Sequence, residues 1–460
     1  MFSLKDIIAA TGGKASPACP DSFLRISTDT RTIGTGELFV PLVGENFDGH
    51  DFMDAAFEKG AACALCQFGR NETKFKGKPL IEVPDTLRAL QDIAAYIRAK
   101  RDDLLVVGIT GTNGKTTTKE MLASILSLRG PVLKNEGNLN NEIGVPLTLL
   151  RLDGSHWASV VEMGMSGFGE IKRLAEIARP SIGVITNIGP GHLEKLGSIE
   201  GVARAKAELI DGLPEDGKAV LNIDDRFLKE LAEANSGRLV SYGLLSGASV
   251  TASGIEESDA GIGFRLITPS GAVDVTLPVM GVHNVYNALA AAAAAWSAGL
   301  SIADIKEGLE QFRPVRMRME TMEIGGARVI NDAYNANPAS MAAALTALAS
   351  VKEARKIAVL GDMLELGSSA AKSHFDVGRL AGAEGLALLV LVGSHAHDTA
   401  RGAAEAGMEE DRIIVASGAD EAAAVLAEKM RRGDNILVKG SRSMKMERII
   451  EILRSRRLVA

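Results

Sequence analysis

The stretch Leu104 to Met121, LLVVGITGTNGKTTTKEM, constrains this chain more than any other. A short apolar, β-rich run, Leu104 to Val107, leads into the small-residue turn Gly111-Thr112-Asn113-Gly114. Lys115, Thr116 and Thr117 follow, with a helical pattern to about Arg129. That order is strand, glycine loop, helix. Glycines let the backbone turn its N–H groups inward, and a helix N-terminus adds partial positive charge. A triphosphate suits such a loop, with Lys115 on its outer phosphates and the Thr116 hydroxyl on Mg²⁺. The strict pattern G-x-x-x-x-G-K-[ST] requires glycine at position 109, where Ile109 stands; the shorter G-x-x-G-K-T, Gly111 to Thr116, is present instead.

The 460 residues allow about three domains of about 150 residues each. An apolar content of 46% with 24% charged residues is that of a globular chain with real cores. A net charge of −7 argues against a non-specific nucleic-acid binder, and 4% aromatics against base-stacking platforms. Cys19, Cys63 and Cys66 are too few for a disulfide framework, and Cys63 and Cys66 read as buried small side chains in an apolar run. The N-terminus reads as an amphipathic helix rather than a signal peptide. The longest apolar run, Ala288 to Trp296, is too short to span a bilayer. The expectation is a soluble cytoplasmic protein with an α/β fold in three domains.

Residues 1–84 read as a small α/β domain. It carries two polar clusters, Ser27 to Arg31 and Gly44 to His50, whose composition alone says turn and cap chemistry. Asp85 caps a helix that buries Leu87, Leu90, Ile93, Ala94 and Ile97, so 85–103 is helix and linker. Residues 104–313 form the central domain, with a mostly parallel sheet. Glu162 and His192 each follow a strand, and in open parallel sheets ligands bind beyond the carboxyl ends of the strands. That placement favours a divalent ion. Asn140 and Asn141 lie in an amide-rich loop. Lys206, on a helix, reads as solvated. Asn284 and Asn287, at a helix start, read as caps. Pro314 and its arginines mark the second boundary. Residues 314–460 alternate strand and helix again, as a second doubly wound, Rossmann-like sheet without its own phosphate loop. Polar residues gather at its strand ends too, so two α/β domains should face each other across a cleft.

Taken together, these residues resemble the Mur ligase family of ATP-dependent amide ligases. Gly111 to Thr117, Glu162-Met163-Gly164, Asn187 to His192 and His283-Asn284-Val285-x-Asn287 are similar to its central domain. Asp332 to Met341, Gly361-Asp362-Met363-x-Glu365-Leu366-Gly367 and Val438 to Arg442 resemble the member that takes D-alanyl-D-alanine, as do Thr28-Asp29-Thr30-Arg31 and Gly44-Glu45-x-Phe47-Asp48-Gly49-His50. The resemblance implies ATP and Mg²⁺ as cofactors, and UDP-N-acetylmuramoyl-tripeptide and D-alanyl-D-alanine as substrates of a monomer. It implies that Thr28, Asp29, Thr30, Arg31, Asn46, Asp48, Gly49 and His50 hold the UDP-sugar, with Asn140 and Asn141 as further substrate candidates. It implies Thr116, Glu162 and His192 at the metal, with Lys206 at the family position that becomes a carbamate. Asn284, Asn287 and Arg318 become nucleotide candidates, although a glycine is expected where Met317 precedes Arg318. Asp332, Asn335 and Asn337 become dipeptide candidates. Other readings stay open: a ligase adding lysine or diaminopimelate, a folylpolyglutamate synthase, or a phosphate-loop NTPase switch or kinase.

Overall fold

The computed structural model describes all residues except 45, 71–74, 76, 246, 259–260, 352–353 and 458–460; Glu45 of the second polar cluster lies outside the described residues. In the first unit, Ser3 caps α1 (Leu4–Thr11), its Oγ accepting from Asp6 N. The strands β1 (Lys14–Ala15), β2 (Ile26–Ser27), β3 (Leu38–Phe39), β4 (Cys63–Gln67) and β5 (Leu80–Val83) form one sheet in the order β1-β5-β4-β3-β2. Only β1 runs antiparallel to its neighbour. Cys63 and Cys66 are buried in cores on opposite faces of β4, as their odd spacing on a strand requires. Cys63 Sγ lies 3.4 Å from that of Cys19. The helix α2 (Thr86–Ala99) starts at Asp85, whose Oδ1 accepts from Arg88 N at 2.6 Å. Its apolar face, with Leu90, Ile93 and Ala94, joins the first unit to the central one in a single core.

The central sheet contains β6 (Leu105–Thr110), β7 (Val132–Lys134), β8 (Ala158–Glu162), β9 (Ile182–Ile185), β10 (Lys218–Asn222) and β11 (Leu239–Tyr242), in the order β11-β10-β9-β6-β8-β7. Every pairing is parallel. The order turns back around β6, which has β9 on one side and β8 on the other. Two helices matter for the site: α3 (Lys115–Ser127) after β6, and α4 (Ile199–Asp211) before β10. The stretch to Pro278, which showed no clear alternation, is an antiparallel meander of β12 (Thr251–Ser258), β13 (Gly261–Thr268) and β14 (Gly271–Leu277). It covers α5 (Val282–Ser297), whose Ala288 and Ala290 to Ala295 have no exposed surface. α5 is enclosed by the meander, by α3 and by the central sheet, and small side chains let those backbones approach.

The third unit contains β15 (Glu320–Ile324), β16 (Ala327–Asp332), β17 (Lys356–Gly361), β18 (Leu388–Val392), β19 (Ile413–Ala416) and β20 (Asn435–Lys439), in the order β15-β16-β20-β17-β18-β19. Only the edge strand β15 is antiparallel. The helices α6 (Pro338–Ala349) and α7 (Ala370–Ala383) cover one face, and Ala419–Lys429 covers the other. No helix among the described residues is long and apolar enough to cross a membrane.

Two buried histidines make the structure acid-sensitive. His50 Nδ1 donates to Asp48 Oδ1 at 2.7 Å, and its Nε2 accepts from Gln67 N at 3.2 Å. His374 Nδ1 donates to Ala370 O and its Nε2 accepts from Met363 N, both at 2.8 Å. Burial pushes both imidazoles below their ordinary value of about 6.5, with Asp362 opposing it at His374. The unfolded chain therefore takes these protons first. Their stabilisation is complete above about pH 6.5 and lost as pH falls through the lower folded-state values. Thermal melts should show Tm falling with pH below 6.5, and His374→Asn should flatten that slope; an unchanged slope would exclude His374 as a source.

Candidate active site

Gly111 and Gly114 adopt φ of 149° and 80°. A Cβ on Gly111 would lie 1.8 Å from Thr186 Oγ1, and one on Gly114 2.1 Å from Asn287 Oδ1. The loop is thus pressed between the end of β9 and helix α5, and only glycine fits either place. Gly114→Ala would combine a left-handed alanine, costing about 1–2 kcal/mol, with that collision. At 1.4 kcal/mol per factor of ten, KM for ATP should rise about tenfold or more; an unchanged KM would contradict this fit.

Neighbouring strand ends hold the loop from behind. Thr186 Oγ1 donates to Asn113 O at 2.6 Å, and Asn187 Oδ1 accepts from Asn113 N at 2.9 Å. Thr112 Oγ1 accepts from Gly189 N at 2.9 Å. Lys115 Nζ rests on the carbonyls of Gly111 and Thr112, at 2.8 and 3.2 Å. Burial lowers its pKa, the charge of Glu162 opposing. Thr116 donates from Oγ1 to Glu162 Oε2 at 2.8 Å, from the first turn of α3 to the end of β8. Glu162 is 3% exposed and also accepts from Asn140 Nδ2 at 2.8 Å. Lys119 Nζ stands 3.7 Å from Glu162 Oε2 and donates to Asn135 O at 2.7 Å. Lys119 and Asn135 escaped the reading of the sequence. Lys119 follows Lys115 by four residues, which puts both on one face of α3.

Lys206 corrects the reading of a solvated lysine: it is 4% exposed, with no hydrogen bond or ion pair among the described residues. Burial, reinforced by the charge of Lys115, holds its amine well below the usual lysine range. Asn284 and Asn287 do not cap the helix either; Gly281 occupies the cap position. Asn284 Nδ2 donates to Met280 O at 2.7 Å, and Asn287 Nδ2 to Asn284 Oδ1 at 3.0 Å, so the pair supports Gly114 from α5.

The third unit forms the opposite wall of a cleft of about 930 Å³. Asn337 caps α6 and its Nδ2 donates to Asn113 Oδ1 at 2.7 Å, joining the walls. His192, at φ 53°, pairs through Nδ1 with Glu365 Oε2 at 3.4 Å. Asp332 Oδ2 is held by Lys439 Nζ at 2.5 Å, and that ammonium also donates to Asn335 O at 3.0 Å. Arg318 lies over the Tyr334 ring at 4.0 Å, its buried Nε without a partner. Met317 adopts φ 59°, the backbone that a glycine takes without strain. Thr117, Asn140 and Asn141 also line the cleft. Asn141 Oδ1 accepts from Gly144 N at 2.9 Å.

None of the first-unit candidates lines this cleft. Asp29 and Arg31 form an exposed fork, Nη2 to Oδ2 at 2.7 Å, which holds the Asp29 carboxyl down at about 2. Thr28 and Thr30 flank it, half-buried, and Asn46 is exposed. His50 has both ring nitrogens committed, and Asp48 also binds Arg70. A Cβ on Gly49 would lie 2.5 Å from Leu42 N, so the loop turns tightly there.

A phosphate loop on one α/β unit, closed over by a second α/β unit at its strand ends, makes a nucleotide site shared by two domains. Residues 23–98, 109–295 and 317–442 match the families described as "Mur ligase family, catalytic domain", "Mur ligase middle domain" and "Mur ligase, glutamate ligase domain". The chain belongs to the Mur ligase family, as its motifs implied. It is 39% identical over 433 residues to the UDP-N-acetylmuramoyl-tripeptide--D-alanyl-D-alanine ligase of Escherichia coli, covering 93% of each chain. Its fold matches MurF from Acinetobacter baumannii with a TM-score of 0.91, at 35% identity and 99% coverage of both chains. MurF from Thermotoga maritima, solved in complex with ADP, matches with a TM-score of 0.82, at 27% identity and coverage of 94% and 97%.

Proposed function

We propose that this protein joins D-alanyl-D-alanine to the terminal carboxylate of UDP-N-acetylmuramoyl-tripeptide at the expense of ATP, giving ADP, phosphate and the pentapeptide of the peptidoglycan precursor. The observation that carries this reading is the cleft itself. A phosphate loop faces a second α/β wall, and the walls touch at Asn113–Asn337 and His192–Glu365. An activated acyl group needs such shielding from water.

The tripeptide carboxylate attacks the γ-phosphorus of ATP; a C–O–P link forms and the bond to ADP breaks. The dipeptide amine then attacks the acyl carbon; a C–N bond forms, phosphate leaves and the amine loses its proton. Lys115 moves from its loop carbonyls to the outer phosphates and offsets the charge of the transferring group. We assign residues 1–84 to the UDP-sugar, 104–313 to ATP and 314–460 to the dipeptide. Asp29, Arg31 and their neighbours would meet the UDP moiety. Asn337 would act at the closing edge, and Asp332 would orient Lys439 rather than meet the dipeptide directly.

Among the described residues, no group of His, Cys, Asp and Glu side chains could hold a metal by itself. The cleft nevertheless fits Mg²⁺. Its hard donors are the Glu162 carboxylate and the Thr116 hydroxyl, and Mg²⁺ is commonly held by one or two carboxylates plus substrate phosphates. His192 stands at the rim. When bound, the ion supplies charge neutralisation at the phosphates. Burial and the charge of Lys115 disfavour the protonated form of Lys206; the neutral amine is the form that adds carbon dioxide and releases a proton, and the resulting carbamate would bring an anion to that side of the cleft.

The test is phosphate release from Mg-ATP with the UDP-tripeptide, with and without D-alanyl-D-alanine. Release that needs both, with pentapeptide formed, is the expected result. Release with a free amino acid in place of the dipeptide would assign a sister ligase, and release with neither acceptor an NTPase.

A further inference from the structure

The cleft is rich in cations: Lys115, Arg318, Lys439 and Arg442 all line it. That suits phosphates and carboxylates and disfavours an incoming ammonium, unless a carboxylate is left to receive it. The acids lining the cleft are Glu162, Glu170, Asp332 and Glu365. Glu162 is taken by Thr116 and Asn140. Glu170 accepts from Ser166 N and Oγ, both at 2.9 Å. Asp332 is paired with Lys439 at 2.5 Å. Glu365 alone of these has no hydrogen bond among the described residues; its contact is with His192, across the cleft, and its side chain is 72% exposed.

The backbone beneath it is held firmly, which is unusual for an exposed acid. Glu365 adopts φ 62°, a conformation that non-glycine residues take rarely and that gathers at functional sites. The preceding residues leave it little freedom. Leu364 N donates to Ser441 Oγ at 2.9 Å, and Met363 N to His374 Nε2 at 2.8 Å. The Asp362 carboxylate accepts from Ser394 N at 2.7 Å, from Ser394 Oγ at 2.8 Å and from His395 N at 3.1 Å. A rigid loop therefore presents one carboxylate, held only by a 3.4 Å contact with His192, from the third unit to the place where it meets the ATP-binding wall.

Resting on the ligase reading above, we propose that Glu365 receives the ammonium end of the acceptor dipeptide, so selecting an unacylated N-terminus, and takes from it the proton that must leave before the nitrogen can attack. The dipeptide then enters with its nucleophilic end facing the phosphate loop. His374, through Met363, and Ser441, through Leu364, act as positioning residues for that carboxylate.

Initial rates with D-alanyl-D-alanine varied, at saturating Mg-ATP and UDP-tripeptide, test this. Glu365→Gln should raise KM for the dipeptide about tenfold or more, since charge-assisted hydrogen bonds carry about 1.5–3 kcal/mol. KM for ATP and for the UDP-tripeptide should stay within about twofold, and Glu365→Asp should fall between. N-acetyl-D-alanyl-D-alanine, which lacks the ammonium, should compete poorly against wild type and regain parity in Glu365→Gln. An unchanged dipeptide KM, or a rise in all three KM values together as for a simple latch on His192, would overturn the proposal. Wild-type enzyme without dipeptide-dependent phosphate release would overturn the ligase reading instead.

Discussion

Lys115→Ala should lower kcat by about 10²–10³-fold, the loss typical when one preorganised donor to a developing charge is removed. The side chain is poised for this role. Its ammonium is parked on the Gly111 and Thr112 carbonyls, 2.8 and 3.2 Å away, at the mouth of the loop. Arriving phosphates supply the negative charge that restores a proton affinity lowered by burial. The fold should survive, because Thr186, Asn187 and Gly189 hold the loop without using Lys115. Phosphate release and a thermal melt on the same preparation decide it. Activity within tenfold of wild type at an unchanged Tm would remove Lys115 from the reaction.

Glu162→Gln should be the second severe change. The amide keeps the shape and removes the charge. Mg²⁺ would lose its protein carboxylate, so kcat/KM for Mg-ATP should fall about a hundredfold or more and half-saturation by Mg²⁺ should shift upward. The variant should still fold, since Lys119 retains Glu120 Oε1 at 3.2 Å and Asn135 O at 2.7 Å. A magnesium titration of activity measures the shift. An unaltered titration with kcat within threefold of wild type would show that Glu162 is only a brace for Thr116.

The contrast between Lys115 and Lys206 shows where sequence reading reaches its limit. Lys115 was legible because its neighbours in the chain are its neighbours in space: strand, glycine turn and helix start are local hydrogen-bonding events. Lys206 looked solvated because helical spacing reports which face a residue occupies, not what covers that face. In the fold Lys206 is buried at the cleft, where the charge of Lys115 acts on it. Asn284 and Asn287 had the composition of caps, yet the helix begins at Val282, the Asn287 amide lies against Gly114 and Asn284 braces it. Glu365 stood inside a legible motif and carried no signal of its own. Its backbone is left-handed, and the two residues before it are held by Ser441 and His374.

The sequence by itself determined the phosphate loop, the alternation of strand and helix in the second and third units, and the family. Glycine at positive φ, apolar periodicity and helix caps each act over a few residues. Only the tertiary structure decided which polar groups meet. Asn113 and Asn337 are 224 residues apart and share one hydrogen bond. His192 and Glu365 come from different sheets. Such pairings follow from how one sheet's strand ends are set against the other's. That arrangement is a sum of many weak apolar contacts spread over both units, and no single stretch of the chain encodes it.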